Sequence, residues 1–305
     1  MASRAYSDID DLLQMRELLM AARARTGNDW RYAHIGLLAW DFFMVACHLD
    51  PREHIRLWHD ANGRLVGYAM LGDEQLDWQV LAEHEWSGIE DEALAWGEEL
   101  LADLWRRDPV RWEGPLVAGA RQDDNRKLAF LEEHGFRYRG EFAEVNMIRS
   151  LDGPVPEAGL PEGFQVRGLA GPEEAPERAA AGQDVWQPFT VGDVTGEQYA
   201  AFMCLPGYDR ELDVVAVAPD GTIASYVNCW LDQVNRIGDL GPVGARPAYR
   251  RRSLTRAVLL EGMRRMQAAG MDRACVSTGI DNAAARRLYE GVGFEVVNRY
   301  LDYVR

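Results

Sequence analysis

A similar six-residue segment occurs in both halves of the chain. This internal repeat constrains the fold more than any other feature of the sequence. Residues 131–136 are Leu-Glu-Glu-His-Gly-Phe and residues 289–294 are Tyr-Glu-Gly-Val-Gly-Phe. Their offset of 158 residues (289 − 131) is about half of the 305-residue chain, as a tandem duplication requires. We therefore expect two copies of one folding unit. The Pro- and Gly-rich stretch over residues 151–163 predicts the linker between them.

Hydrophobic periodicity and turn residues predict nearly the same order of elements in both halves. The first half gives a helix at 8–24, strands at 55–59, 64–71 and 75–81, a helix at 89–107, a strand at 116–120, a helix at 124–134 and strands over 136–149. The second half gives a strand at 164–167, helices near 172–182 and 195–204, strands at 212–217, 223–231 and 237–245, a helix at about 253–269, a strand at 273–278, a helix at 282–290 and a strand at 294–303. This alternation predicts an α/β (α+β) protein with two tandem units, residues 1–155 and 156–305, each a mixed twisted sheet flanked by helices.

The composition excludes several classes of partner. The chain has 33 Lys and Arg residues against 49 Asp and Glu residues, a formal net charge of −16. Nucleic acids and anionic membranes need a basic face, so we expect neither as a partner. No signal peptide or membrane span is predicted, the 4 Cys lie far apart, and no His stands at zinc-ligand spacing. We therefore expect a cytoplasmic protein without a metal, and its oligomeric state stays open.

The strongest local signal is a strand that runs through an Arg-rich turn into a helix, over residues 243–257. Arg250, Arg251 and Arg252 lie in the turn, and Ser253 and Thr255 add hydroxyl groups. Backbone N–H groups that converge in such a turn, at a helix N-terminus, form an anion site that fits a pyrophosphate. Taken alone, the pattern is also typical of a solvated basic turn before an amphipathic helix.

A second signal lies in the last predicted helix. Asn282 is near the N-terminus of this helix, and Tyr289 lies two turns later on the same side. The phenol of Tyr289 carries a proton that it can donate to a departing thiolate. The alternative is a core tyrosine with a hydrogen-bonded hydroxyl group.

Together the two segments resemble the GNAT superfamily of acyl-CoA-dependent N-acetyltransferases. The phosphate motif of that family, Arg/Gln-x-x-Gly-x-Gly/Ala, corresponds to Arg250-Arg251-Arg252-Ser253-Leu254-Thr255. The later signature of the family corresponds to Asn282, Ala285, Leu288, Tyr289, Glu290, Gly293 and Phe294. The resemblance covers residues 165–305, and the first half resembles the same unit in outline only. Ser253 and Thr255 stand where the motif has glycines, which is a departure from the family.

The resemblance implies a binding site for acetyl-CoA. The six residues of the phosphate motif, Arg250 to Thr255, would hold the pyrophosphate, mainly through backbone N–H groups. Val243 and Ala245, on the splayed fourth strand, would bond the pantetheine arm as if it were another strand. Asn282 would contact the cofactor, and Tyr289 would protonate the departing CoA thiolate.

The resemblance also implies where the acceptor amine binds. The family often places an acidic general base on the fourth strand, where this chain has Asp239, with Asp232 on the preceding strand edge. For each, an exposed or turn-capping Asp is the alternative. Trp186 and Phe189 lie at a segment where the family commonly builds its acceptor pocket, and we expect them to contact the acceptor.

These residues predict an N-acetyltransferase that transfers an acetyl group from acetyl-CoA to a primary amine of a small molecule. The acidic composition favours a cationic acceptor. The first half has Glu90, Asp91 and Glu92 at the corresponding helix N-terminus and Leu131 in place of Tyr289, so we expect a degenerate, non-catalytic copy. Two alternatives stay open: a CoA-binding sensor or pseudoenzyme, and a non-catalytic interaction scaffold.

Overall fold

The computed structural model describes residues 1–27, 30–187 and 193–305, except for the side chains of residues 141–143. The first half forms, in chain order, β1 (Ala2–Ala5), α1 (Ile9–Thr26), α2 (Ile35–His48), α3 (Pro51–His54), β2 (Ile55–His59), β3 (Leu65–Gly72), β4 (Gln75–Val80), α4 (Ile89–Arg107), β5 (Val117–Arg121), α5 (Asn125–Glu133) and β6 (Arg137–Ser150). The second half forms β7 (Gln165–Gly168), α6 (Ala175–Trp186), α7 (Gly196–Phe202), β8 (Asp213–Val217), β9 (Ile223–Asp232), β10 (Ile237–Ala245), α8 (Leu254–Ala268), β11 (Arg273–Gly279), α9 (Ala283–Gly291) and β12 (Glu295–Val304).

The order of these elements confirms the predicted tandem arrangement. Apart from the short helix α3, the described part of the second half repeats the strand and helix order of the first. The bounds of α4 and β10 coincide with those predicted from periodicity, and α8 begins within one residue of its predicted start. No helix in the described ranges is long and apolar enough to cross a membrane.

All twelve strands join one continuous mixed sheet, in the order β1-β2-β3-β4-β5-β12-β6-β11-β10-β9-β8-β7. The last strand of each half is exchanged. Strand β12 lies between β5 and β6 and is antiparallel to both, and β6 pairs along the whole length of β11. The repeat predicted a mixed sheet for each half. In the structure, each of the two units is completed by a strand of the other.

Helix α2 also joins the two halves. Its sequence, IGLLAWDFFMVACH, is apolar on nearly every side, which is typical of a helix buried between layers. Leu38 and Phe42 lie in the core of the first half, whereas Ala39 and Phe43 lie in a cluster with second-half residues. The rings of Phe43 and Phe202 are 4.4 Å apart between centroids. One face of α2 therefore packs on the first half, and another closes the core of the second.

Each half contains a pair of parallel strands that diverge. Strands β4 and β5 are paired only where residues 75–76 meet 117–118. Strands β10 and β11 are paired only where residues 237–239 meet 273–275. Beyond these points β10 continues beside β9 and β11 continues beside β6, so the sheet opens on one side of each pair.

Candidate active site

A single cavity of about 840 Å³ connects the two openings in the sheet. Both halves of the chain line it. The second half contributes residues that include Asp239, Val243, Thr278, Asn282, Ala285 and Tyr289. The first half contributes residues that include Trp40, Asp41, Tyr68, Trp78, Glu144 and Asn146.

The edge of β10 presents backbone polar groups to this opening. The N–H of Arg246 donates to the carbonyl oxygen of Ala224 on β9, at 3.0 Å. Residues alternate between bonded and non-bonded positions in an antiparallel pair, so the N–H and C=O groups of Val243 and Ala245 point away from β9. The carbonyl oxygen of Ala245 accepts a bond from Arg250 Nε at 3.3 Å. An extended ligand could pair with this edge as an added strand.

The turn between β10 and α8 has a backbone suited to an anion. Arg251 and Ser253 both have φ of 61°, in the left-handed region, and α8 begins directly after Ser253. Successive N–H groups in such a turn can point to one side, where the helix dipole adds partial positive charge. Among the described residues, the exposed guanidinium groups of Arg250, Arg251 and Arg252 form no ion pair, and that of Arg252 lies 5.6 Å from the ring centre of Tyr249.

The two hydroxyl residues of the turn differ in their surroundings. Ser253 is the N-cap of α8 but makes no capping bond through its side chain. The hydroxyl of Ser225 on β9 donates its one proton to the carbonyl oxygen of Gly244 on β10 at 2.7 Å. The hydroxyl of Thr255 faces the sheet and lies 3.2 Å from the Ser225 hydroxyl oxygen, to which it therefore donates. Thr255 therefore links the first turn of α8 to strands β9 and β10.

Helix α9 brings Asn282 and Tyr289 to the cavity. Asn282 is its N-cap, and the Asn282 side chain accepts a bond from the N–H of Ala285 at 3.1 Å. Tyr289 is only 5% exposed and its ring packs edge-on against Phe294. Burial, with the charge of Asp239 second, raises the pKa of Tyr289 above 10.0. The phenol therefore stays protonated at neutral pH and can act as an acid.

Asp239 is the last residue of β10 that pairs with β11 before the two strands diverge. Its carboxylate lines the cavity, and Asp239 Oδ1 accepts a bond from the Cys275 thiol at 3.4 Å. Burial raises the pKa of Asp239 to about 6, although the Cys275 bond and the charge of Arg23 lower it. A carboxylate with such a pKa is mostly ionised at neutral pH and is a stronger base than an exposed aspartate.

The other acidic candidate, Asp232, lies in a structural network. It is fully buried and accepts bonds from the N–H and the side-chain amide of Asn235, at 3.0 and 2.6 Å. The guanidinium of Arg23 lies 3.9 Å away. Asp232 thus caps the turn after β9, which is the structural alternative given by the sequence.

The structure describes one of the two residues that were predicted to contact the acceptor. Trp186, at the end of α6, lines the cavity, and Trp186 Nε1 donates to the hydroxyl of Tyr226 at 3.0 Å. This bond fixes the indole ring at the cavity wall. Phe189 lies outside the residues that the structure describes.

Comparison with known proteins bears on the part of the chain that carries this geometry. Residues 180–294 match the model of the Acetyltransferase (GNAT) family. The matched segment lies within the second half and includes the turn before α8 and helix α9. This match and the relatives described below support an acyltransferase enzyme.

The similarity to some relatives extends beyond these residues. A mycothiol acetyltransferase from Nocardia farcinica is 28% identical over 288 residues, which cover 92% of this chain and 89% of the relative. A mycothiol acetyltransferase from Kineococcus radiotolerans is 36% identical over 103 residues, which are 34% of this chain and 33% of the relative. A tandem GNAT protein from the clavulanic acid biosynthesis pathway has a TM-score of 0.67 at 16% identity and covers 100% of this chain and 98% of its own. The tandem fold is therefore shared.

Several residues at the cavity come from the first half and were not predicted from the sequence. Glu144 and Asn146 lie on the exchanged strand β6, and Asp41 lies on α2. Desolvation first, with repulsion from neighbouring carboxylates second, raises the pKa of Asp41 and of Glu144. No local motif marks these residues, because their position depends on which strands and helices of the two halves pair.

The first half has a turn of similar backbone conformation before α4, but one of its own side chains fills that turn. Trp86 and Gly88 have positive φ three residues and one residue before α4, as Arg251 and Ser253 have before α8. Both carboxylate oxygens of the buried Glu90 accept the N–H of Trp86 at 2.9 Å. A carboxylate therefore occupies the place that an anionic ligand would take.

Proposed function

We propose that the chain transfers an acetyl group from acetyl-CoA to a primary amine of a small molecule. The observation that carries this proposal is the shared cavity. Asp239, a carboxylate, and Tyr289, a phenol, line this cavity together with Val243 of β10, and the Arg-rich turn follows the end of the same strand. In this proposal residues 156–305 carry the chemistry, and residues 1–155 are a non-catalytic copy that helps to form the acceptor site.

The residues present fit acetyl-CoA. The N–H groups from Arg251 to Thr255, the N-terminus of α8 and the exposed guanidinium groups of the turn would hold the pyrophosphate. Val243 and Ala245 would bond the pantetheine arm along β10, and Asn282 would contact it from α9. GNAT-fold enzymes use acetyl-CoA, and no group of three or more metal-ligating side chains occurs within the described residues.

The transfer needs one base and one acid. When bound, acetyl-CoA supplies a thioester carbonyl. Asp239 accepts a proton from the acceptor ammonium group, so that the neutral amine can attack this carbonyl. As the C–N bond forms and the C–S bond breaks, Tyr289 donates its proton to the departing thiolate sulfur. The second amine proton leaves through water in the cavity, and the phenolate of Tyr289 is reprotonated from the same water.

The cavity wall supports a cationic acceptor. Among the described lining residues, carboxylates outnumber cationic side chains, and they include Asp41, Asp77, Asp124, Glu144, Asp239 and Asp302. A wall of one sign concentrates ligands of the opposite sign. The name of the curated relatives supports mycothiol lacking its acetyl group as the first acceptor to test, followed by amino sugars and polyamines.

An acetylation assay with mass detection of the product tests this function. The wild type should acetylate at least one amine of the panel, and Tyr289→Phe and Asp239→Asn should each lower kcat by roughly 10²–10⁴-fold. Tyr138→Phe is the matched control, because Tyr138 is 42% exposed and outside the cavity lining. Failure of the wild type with every amine, or full turnover by Tyr289→Phe, would contradict the proposal. Binding of CoA without turnover would favour the sensor alternative.

A further inference from the structure

The carboxylate of Asp239 lies between two residues that have no part in the proposed reaction. On one side, the buried thiol of Cys275 donates to Oδ1 from the neighbouring strand β11. On the other side lies Gly36, the second residue of α2. A Cβ atom added to Gly36 would lie 2.8 Å from Asp239 Oδ2 and 2.9 Å from two atoms of Trp230. Only glycine fits here without moving the carboxylate or the indole.

His34 fixes Gly36 in this place. Its Nδ1 accepts the N–H of Gly36 at 3.0 Å, which caps the first turn of α2. Its Nε2 then donates to the carbonyl oxygen of Ile237, two residues before Asp239, at 3.3 Å. His34 therefore ties the N-terminus of a first-half helix to the second-half strand that carries Asp239. The start of α2 adds partial positive charge beside the carboxylate.

We propose that Gly36 and Cys275 are positioning residues for acetyl transfer, which hold the two oxygens of Asp239 in the orientation that accepts the amine proton. The buried Cys275 binds Oδ1 from the neighbouring strand β11. Gly36 leaves room for Oδ2 at the cavity wall, which both Gly36 and Asp239 line. This inference rests on the proposed role of Asp239 and gives the first half a specific part in the reaction.

The bond from Cys275 has a predictable effect on pH dependence. A donor to the charged carboxylate favours ionisation, so its removal raises the pKa of Asp239. The titratable and charged groups that also face Asp239 from the surrounding elements are Arg23 of α1, Asp41 of α2, Glu144 of β6, Cys229 of β9 and Tyr289 of α9. These stay unchanged when only Cys275 is replaced.

The first test is the pH profile of kcat/KM. In Cys275→Ala, the acidic limb should move to higher pH, whereas Cys275→Ser, which keeps a donor, should restore it to the wild-type position or below. The KM for acetyl-CoA should stay constant in both. An acidic limb that does not move in Cys275→Ala would overturn the role of Cys275.

The second test uses Gly36→Ala, which should lower kcat by at least about tenfold. The added Cβ would displace Asp239 Oδ2 from the orientation in which it accepts the amine proton. Gly182→Ala is the matched control, since a Cβ added at Gly182 in α6 meets its nearest neighbouring atom only at 4.0 Å. Thermal unfolding and acetyl-CoA titration show whether Gly36→Ala is folded. A folded Gly36→Ala protein with wild-type kcat would overturn the role of Gly36.

A third measurement separates this inference from the proposed function, because it needs no acceptor. The infrared S–H stretching band that disappears in Cys275→Ala should shift to higher frequency in Asp239→Ala, as the thiol loses its acceptor. An unshifted band would overturn the contact itself. Full turnover by Asp239→Asn would instead overturn the proposed base, even where the band shifts as expected.

Discussion

At Ser253, a residue with a side chain adopts a backbone conformation that favours glycine. Its φ of 61° and ψ of 10° place it in the left-handed region, and its hydroxyl makes no capping bond. This conformation costs an L-residue roughly 1–2 kcal/mol. We therefore expect Ser253→Gly to raise the free energy of unfolding by about 1 kcal/mol. It should also bind acetyl-CoA at least as tightly, because phosphate can approach glycine closely.

Urea unfolding and acetyl-CoA titration check this prediction. Ser253→Ala is the control: it removes the hydroxyl but keeps Cβ, and should show no gain in stability. A less stable Ser253→Gly protein, or weaker binding of acetyl-CoA, would mean that the serine side chain has a role that the contacts do not explain.

The burial of His34 leads to a prediction of how the free energy of unfolding depends on pH. Burial, with the charge of Arg23 second, holds the pKa of His34 well below the ordinary value of 6.5. As the pH falls below 6.5, the unfolded chain binds a proton that the folded chain does not, so stability is lost. In His34→Asn, whose side chain can still cap α2, this loss should be smaller by up to about 1.4 kcal/mol per pH unit. Urea unfolding at several pH values should give the shallower slope, and equal slopes in the two proteins would contradict it.

Among the elements, the turn before α4 has positive φ at the same two positions as the turn before α8. Glu90 takes the N–H of Trp86 that an external anion could otherwise bind. Glu90→Ala should lower the free energy of unfolding by about 1–3 kcal/mol, because a backbone donor loses its partner. Glu90→Gln, which keeps an acceptor oxygen, should lose less. Asp91→Ala is the control, since Asp91 is 63% exposed.

Urea unfolding measures these three variants side by side. The number of acetyl-CoA molecules bound should remain one in each, since every variant keeps two of the three carboxylates Glu90, Asp91 and Glu92, which repel a phosphate at the start of α4. Wild-type stability in Glu90→Ala would contradict a structural role for this carboxylate.

The sequence predicted the elements well, because their signals are local. The turn residues after β10 and the apolar stripe of α8 are signals confined to a few neighbouring residues, and both elements were found with nearly the right bounds. The left-handed conformations of Trp86, Arg251 and Ser253 were not predicted, because these residue types rarely adopt them. The placement of Gly36 against Asp239 was also missed. It depends on a packing contact between the two halves, about 200 residues apart in the chain.

For the whole molecule, the exchanged strands make the halves depend on each other. Val145 and Met147 of β6 are buried in the core of the second half, and β6 covers the whole edge of β11. Residues 156–305 alone would leave this edge unpaired and the core open. We expect this fragment not to unfold cooperatively in circular dichroism. Co-expression with residues 1–155 should restore a cooperative transition. A fragment 156–305 that melts at the wild-type temperature would contradict this dependence.

The exchange also marks the limit of prediction for the whole chain. The repeat of 158 residues correctly predicted two units with the same order of elements. It could not predict which β-strand would complete which unit, because β6 and β12 follow corresponding helices in the two copies. Pairing across the halves brings Glu144 and Asn146 into the cavity, so these residues could be found only in three dimensions.

The most direct test of the proposed function is calorimetric titration with acetyl-CoA of the wild type and of the double variant Arg251→Glu/Arg252→Glu. We expect one molecule bound per wild-type chain and no measurable binding in the variant, with both proteins equally folded. One site, lost on charge reversal, would assign acetyl-CoA to the turn before α8. No binding to the wild type, or unchanged binding in the variant, would contradict an acetyltransferase that uses this turn.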